Sequence, residues 1–252
     1  PTVELVGTVS EEAGGLAGAC AYRDRLTARR ERLDQLVVAE PTGCAPVHGH
    51  KGGLGLEIVI AGRAAHSSKP HLGVNAVAAA ARVVVAVEAE QERLRAAHGD
   101  GDVGRVLGCG TVSTTEIAGG RARNVIPDRC ELFVGRRTVD GEDPDEELRR
   151  LTGLVRDAAA PATADVRLAN GLSSAAFDQP PDSELVATLA ELSGRAPTVA
   201  DYGSNALRYA GIAKEIVVFG PGSIDQAHGD VEWVDIDQLE LAADVYRRLL
   251  RR

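Results

Sequence analysis

The sequence contains no methionine, no CxxC pair, no apolar run long enough to span a bilayer and no excess of positive charge. Each absence excludes something. The stretch VVVAVEA falls short of the ~18 apolar residues that mark a membrane span, and the helix that carries it soon turns charged. With 28 Lys and Arg against 37 Asp and Glu, the net charge of −9 argues against nucleic acid or an acidic membrane as the main partner. Cys20, Cys44, Cys109 and Cys130 lie far apart and read as reduced thiols of a cytoplasmic protein, not as a disulfide framework. No secretory leader pattern opens the chain. Its first residues, PTVELVGTVSEE, already follow a strand pattern, as expected of a chain that starts in the middle of a domain.

What is present is a globular composition. Of 252 residues, 44% are apolar and 26% charged, enough for one large domain or two ordinary ones. TVELVGTV (2–9) predicts a short buried strand, LAGACAYRDRL a helix and DQLVVAEPT a strand stopped by Pro41. GCAPVHGHKGG, rich in Gly and Pro, predicts a hinge. Beyond it the order is strand (LGLEIVIAGRA), long helix (VNAVAAAARVVVAVEAEQERLRAAH), two strands, a helix opened by Asp143-Pro144, and a strand (ADVRLANGL). That β-α-β-β-α-β order is ferredoxin-like, with both helices on one face of a four-stranded sheet. The expectation is a ferredoxin-like α+β domain over residues 48–170, inserted into an α/β domain made of 1–47 and 171–252. The last part contributes the helix DSELVATLAELSG, the strand KEIVVFGPG and a closing amphipathic helix.

Three strand ends carry groups suited to chemistry. Glu11 and Glu12 in SEEAGG sit just past a strand end, where glycines let both carboxylates turn to one side. Adjacent carboxylates need a cation or a shared proton, or they form a solvated acidic turn. Glu40 follows the buried run Val37-Val38-Ala39 at a carboxyl-terminal strand end, where α/β sheets build their sites; a helix cap is the other reading. His228 follows a Gly-Pro-Gly turn, with Asp230 and Glu232 nearby to orient its ring, or is a loop histidine with one hydrogen bond. Carboxylates and an imidazole together suit zinc, cobalt or manganese. His48 and His50 form an H-x-H pair expected on the hinge surface. Asn124 and Arg137 are polar groups flanking one strand, and His66 stands in AGRAAHSSKPHLGVNA at the mouth of a long helix.

Five segments, SEEAGGLAGA, VVAEPT, GRAAHSSKPHLGVNA, ARNVIPDRCEL and FGPGSIDQAH, occur here in an order that resembles the acetylornithine deacetylase / succinyl-diaminopimelate desuccinylase / aminoacylase family of dinuclear zinc hydrolases. The resemblance covers essentially the whole chain, and FGPGSIDQAH is most similar to the acetylornithine deacetylase branch. It implies two divalent metal ions, zinc foremost, with Glu12 and His228 as ligands of one and Glu40 of the other. It implies Glu11 as the general base that takes a proton from water and passes it to the leaving amine. His66 would sit on a lid and donate to the oxyanion of the partner subunit's reaction, with Asn124 and Arg137 binding the carboxylate of a small N-acyl amino acid. A homodimer through the lid domain follows. Two departures stand against the pattern. The family's upstream His-x-Asp and bridging Asp have no counterpart before Glu11, and DYGSNAL places Asn205 where relatives carry Asp. The activities to weigh are an N-acyl amino acid amidohydrolase, a dipeptidase or carboxypeptidase of the same family, and a noncatalytic dimerising piece.

Overall fold

The computed structural model describes residues 2–11, 16–98, 107–227 and 231–252. In chain order the elements are α1 (Ala17–Arg29), β1 (Leu33–Val38), β2 (Val47–His50), β3 (Gly53–Ala61), β4 (Ala65–His66), α2 (Ala76–His98), β5 (Thr111–Gly119), β6 (Val125–Ile126), β7 (Arg129–Arg137), α3 (Pro144–Ala159), β8 (Thr163–Ser174), β9 (Phe177–Asp178), α4 (Glu184–Ser193), β10 (Thr198–Ala200), β11 (Ala213–Val218) and α5 (Ile236–Leu249). They form two units, Pro1–Lys51 with Ala176–Arg252, and Gly52–Ala175.

The seams fall a few residues beyond 47 and 170, and the reason is β2. The stretch read as a hinge is a fully buried strand that pairs with β11, β10 and β9, which carries the first unit on through Lys51. At the other seam β8 stays paired with β3 as far as Ser174 opposite Gly53. Gly49 shows why a glycine belongs in β2. A Cβ there would meet the Asp178 carboxylate and the Phe177 carbonyl, both at 3.1 Å. His48 and His50 are therefore interior groups, not hinge surface. His48 Nδ1 donates to the Gln179 carbonyl at 2.8 Å. His50 donates from Nδ1 to the Lys51 carbonyl at 3.1 Å and accepts from the Ser204 hydroxyl at 2.9 Å.

In the first unit β1 and β11 run parallel, β11 and β2 antiparallel, and β2 and β10 parallel. The run Ile216-Val217-Val218-Phe219 is apolar throughout because both sheet faces are covered. Val217 and Phe219 pack with Leu185, Leu189 and Val245 of α4 and α5, and Ile216 and Val218 with Ala19 of α1 and Tyr209. α4 ends at Gly194 in the left-handed conformation (φ 65°), which releases the last turn. Residues 2–9, expected as a buried strand, carry no strand ladder; Leu5 is 99% exposed. Apolar alternation alone does not make a strand without a neighbour to accept its hydrogen bonds. This segment lies on α1 instead, through Gly18 N to the Val9 carbonyl (3.1 Å) and Tyr22 Oη to Glu4 (2.8 Å), and is held from the helical turn Asn205–Arg208 by Asn205 Nδ2 donating to Thr8 Oγ1 (3.1 Å). Trp233, ahead of α5, is exposed.

The second unit is a four-stranded antiparallel sheet in the order β5-β7-β3-β8. β3 alternates strictly: Leu54, Leu56, Ile58 and Ile60 are buried, while Glu57 lies exposed on the other face. The buried rows of β3 and β7 meet Ala76, Ala80, Val83 and Val87 of α2 and Leu151 and Val155 of α3, so both helices cover one face. The core is aliphatic, and Phe133 is the unit's one aromatic residue. Asp143 caps α3 by accepting from Asp145 N at 2.8 Å, with Pro144 in the first turn. Beside this core runs a chain of ion pairs: Arg93–Glu90 (2.7 Å), Glu90–Arg150 (2.8 Å), Arg150–Glu147 (2.8 Å), Glu147–Arg136 (2.9 Å) and Arg136–Glu142 (2.8 Å). Arg136 is buried, and its remaining donor goes to the Arg137 carbonyl. Gly110 makes room for its guanidinium, where a Cβ would collide.

Candidate active site

Glu40 lies two residues past the carboxyl end of β1, and the turn Gly220-Pro221-Gly222 lies just past the carboxyl end of β11. Because these strands are parallel neighbours, both ends emerge at one sheet edge. The two segments are tied together. Thr42 N and Cys44 N donate to the Gly220 carbonyl (3.2 and 2.9 Å), and Gly43 N donates to the Gly222 carbonyl (2.7 Å). Gly220 is required there, since a Cβ would stand 2.6 Å from the Glu40 carbonyl oxygen. Tyr202 closes on the same edge, its hydroxyl 3.3 Å from the Pro41 carbonyl. Burial, and then the negative Glu40 carboxylate, push its phenol up to about 12. Nothing in the sequence pattern flags Tyr202, because its proximity to Glu40 is made by the fold across a long chain separation.

Glu11 ends the segment that lies on α1, next to Ser10, whose carbonyl accepts from Leu16 N at 3.0 Å. Glu12 and His228 lie outside the described residues. Among the described residues no three His, Cys, Asp or Glu side chains come together as a metal site. The donor types that the sequence supplies are carboxylate oxygens and one imidazole, a set that fits zinc-like ions. Of that set, Glu40 is the member placed at the sheet edge. All four cysteines are free, and among the described residues no helix is long and apolar enough to cross a membrane.

In the second unit His66 and Asn124 share a corner. β4 and β6 pair Ala65 with Ile126 and His66 with Val125, and Ser67 N donates to the Asn124 carbonyl at 2.9 Å. The loop is fixed on both sides. Arg63 and Val74 exchange backbone bonds of 2.9 Å, and Asn75 Oδ1 caps α2 by accepting from Val77 N (3.0 Å) and Ala78 N (3.1 Å). Gly62 is needed where a Cβ would strike the Val74 carbonyl. His66 itself is exposed. Arg137 lies at the far end of β7. Ala61 pairs with Arg129 at the His66 end, whereas Arg137 pairs with Thr111 and lies beside Gly53. Nine residues separate these ends inclusively, roughly 26 Å at the strand rise. Arg136 points into the core, so the pleat turns Arg137 to the open face, where it is exposed.

Residues 48–163 match the family described as Peptidase dimerisation domain. The chain is 33% identical over 241 residues to the acetylornithine deacetylase of Myxococcus xanthus, covering 93% of this chain and 61% of that protein. It is 32% identical over 252 residues to a probable carboxypeptidase of Aspergillus terreus, covering 98% of this chain and 56% of that protein. The chain thus spans about three fifths of the length of these relatives. Its fold is similar to the M20 family metallo-carboxypeptidase Sso-CP2 of Sulfolobus solfataricus (TM-score 0.70, 18% identity, 96% of this chain and 68% of that one). It is similar too to Bacillus subtilis YXEP, a dinuclear metal binding peptidase (TM-score 0.62, 18% identity, 95% and 62%). With the ferredoxin-like unit in the place of the matched segment and the five ordered motifs within and around it, the chain carries an M20 peptidase dimerisation domain and is similar along nearly its whole length to acetylornithine deacetylase and, in fold, to M20 family metallopeptidases.

Proposed function

We propose that the complete protein is a metal-dependent hydrolase that cleaves the amide bond of N-acyl amino acids in the manner of an acetylornithine deacetylase, and that it works as a homodimer in the cytoplasm. The observation that carries the reading is the meeting of Glu40 with the turn that leads to His228 at one carboxyl edge of parallel strands. Glu12 and His228 would hold one divalent ion, zinc foremost, and Glu40 the other. When bound, the ions polarise the amide carbonyl and acidify water. Glu11 takes the water proton and delivers it to the leaving amine. A dipeptidase or carboxypeptidase is the second reading, favoured by the similarity to the Aspergillus terreus protein. Hydrolysis of N-acetylornithine, N-succinyl-diaminopimelate and a set of dipeptides, run beside metal analysis, separates the two. Cleavage of dipeptides alone overturns the first, and no cleavage of any overturns both in favour of a noncatalytic dimerising protein.

His66, Asn124 and Arg137 complete the proposal. A small substrate cannot reach from the His66–Asn124 corner to Arg137 across roughly 26 Å of β7. A site that uses all three draws on two second units, taking His66 and Asn124 from one protomer and Arg137 from the other. The domains that would do this are the ferredoxin-like unit as a dimerising lid and the outer α/β unit as the metal-binding part. Pairing of two lids needs an open sheet edge. β5 is the better edge, because β8 carries Asp165 and Arg167, while β5 exposes Ile117 and the overlying α2 exposes Val85. Ile117→Lys is expected to weaken the dimer by tenfold or more, on the order of one lost interface anchor. Sedimentation that shows an unchanged dimer excludes the β5 edge.

A further inference from the structure

We propose that Ser68 sets the tautomer of His66, holding its imidazole in the form that carries the proton on Nε2 and so presents a donor outward. The catalytic consequence rests on the reading of His66 as the oxyanion donor; the tautomer itself does not.

Two groups of Ser68 converge on one ring nitrogen. Its backbone N–H points at His66 Nδ1 at 3.2 Å, and its hydroxyl oxygen lies 2.8 Å from the same atom. A hydroxyl can serve as donor or acceptor, but a backbone N–H can only donate. Nδ1 therefore offers its lone pair, the hydroxyl donates beside the amide, and in the neutral ring the proton resides on Nε2.

The local fold keeps this geometry in place. β4 anchors His66 against β6, and Ser67 N is tied to the Asn124 carbonyl. Lys69 N returns to the His66 carbonyl at 2.9 Å, closing a turn over the two serines that aims the Ser68 amide back at the ring. On the far side Gly73 passes so close that a Cβ would stand 2.9 Å from the Arg63 carbonyl and 3.0 Å from Ala65 Cβ, while Arg63 Nε holds the Leu72 carbonyl at 2.9 Å. A ring flip would exchange Nδ1 with Cδ2 and bring a C–H against the Ser68 N–H and hydroxyl, leaving both donors without their acceptor. The Nε2 edge faces away from these contacts on an exposed residue.

For an oxyanion donor the distinction is decisive. The Nε2–H form offers a hydrogen to developing negative charge, whereas the other tautomer offers a lone pair to it. Ser68 is thus a positioning residue, acting through His66.

The test is the two-bond 1H–15N spectrum of the histidine-labelled 252-residue chain at a pH where the imidazole is neutral, with His66→Gln to assign the resonance. The expected spectrum has acceptor-type Nδ1 and protonated Nε2. Ser68→Ala keeps the amide but loses the hydroxyl and should move the tautomer ratio about fivefold toward Nδ1–H, the worth of one net hydrogen bond. Ser68→Thr should restore it. In the complete protein Ser68→Ala should lower kcat about two- to tenfold at unchanged KM, with Ser68→Thr close to the parent. A proton on Nδ1 in the parent, or a ratio that Ser68→Ala leaves unmoved, overturns the inference. A shifted ratio with unchanged kcat supports it and overturns instead the role given to His66.

Discussion

Glu11→Gln in the complete protein is expected to leave metal content intact and to lower hydrolysis of an N-acyl amino acid by about a hundred- to ten-thousandfold, the range a general base supplies. Glutamine keeps the size of the side chain and loses the basic oxygen. His228→Ala has the opposite signature: metal is lost, and activity with it, because a ligand holds the ion whereas a base acts on water. His66→Ala should reduce kcat far more than KM, as expected of a donor that acts on charge formed in the transition state. Mixing Glu11→Gln with His66→Ala then decides where His66 works. In a mixed dimer one site combines Glu11 of one chain with His66 of the other, and the second site has neither. With random exchange about a quarter of the parent activity returns. A mixture that stays inactive although heterodimers have formed places His66 in its own protomer's site or outside the chemistry.

The second large effect concerns stability. Arg136→Met is expected to destabilise the second unit by about 3–5 kcal/mol, because it leaves carboxylates near the core without their shared cation. That corresponds to a fall in melting temperature on the order of 10 °C. Arg136→Lys should recover little, since an ammonium cannot reproduce the fork that reaches Glu142, Glu147 and the Arg137 carbonyl together. The same network predicts a pH dependence. Burial alone would raise Glu90 and Glu147, but Arg93 and Arg150 around the first, and Arg150 and Arg136 around the second, outweigh it and hold both carboxyls below their usual range. A depressed folded value means stability that is present above the ordinary carboxylate range and lost as pH falls through the folded values. Amide protection factors in α2, α3 and β7, corrected for the intrinsic exchange rate at each pH, should fall as the solution is acidified through that window, and less so in Arg136→Met. An acid response identical in parent and variant would remove the network as its cause.

The second unit was the more legible part of the fold. β3 declares its one buried face by strict alternation, α2 its length by a stretch free of Gly and Pro that opens Ala/Val-rich and closes on EAEQERLRAAH, and α3 its start by Asp143-Pro144, all local signals. The outer unit is harder because its strands meet across long chain separations. β2 reads as a hinge since His48, Gly49 and His50 imitate loop chemistry; only the Asp178 and Phe177 backbone that crowds Gly49 explains the sequence. Residues 2–9 fail in the opposite sense, with a strand's pattern and no ladder. For the candidate site, the strand-end position of Glu40 is legible from Val37-Val38-Ala39 and Pro41. Tyr202 beside it, and the division of His66 and Arg137 between the two ends of β7, depend on pairing that no motif encodes.

The placement of the aromatic residues has a practical corollary. Tyr22, Tyr202, Tyr209, Tyr246 and Trp233 all belong to the outer unit, and Phe133 stands alone in the ferredoxin-like one. Ultraviolet absorbance and intrinsic emission therefore watch only half of this molecule. Trp233, exposed and a short step along the chain from His228, would serve as a built-in fluorophore to test the ion binding proposed for His228, free of background from any other indole in the chain. The ferredoxin-like unit, by contrast, could melt, exchange subunits or lose its arginine network with almost no change in the emitted light.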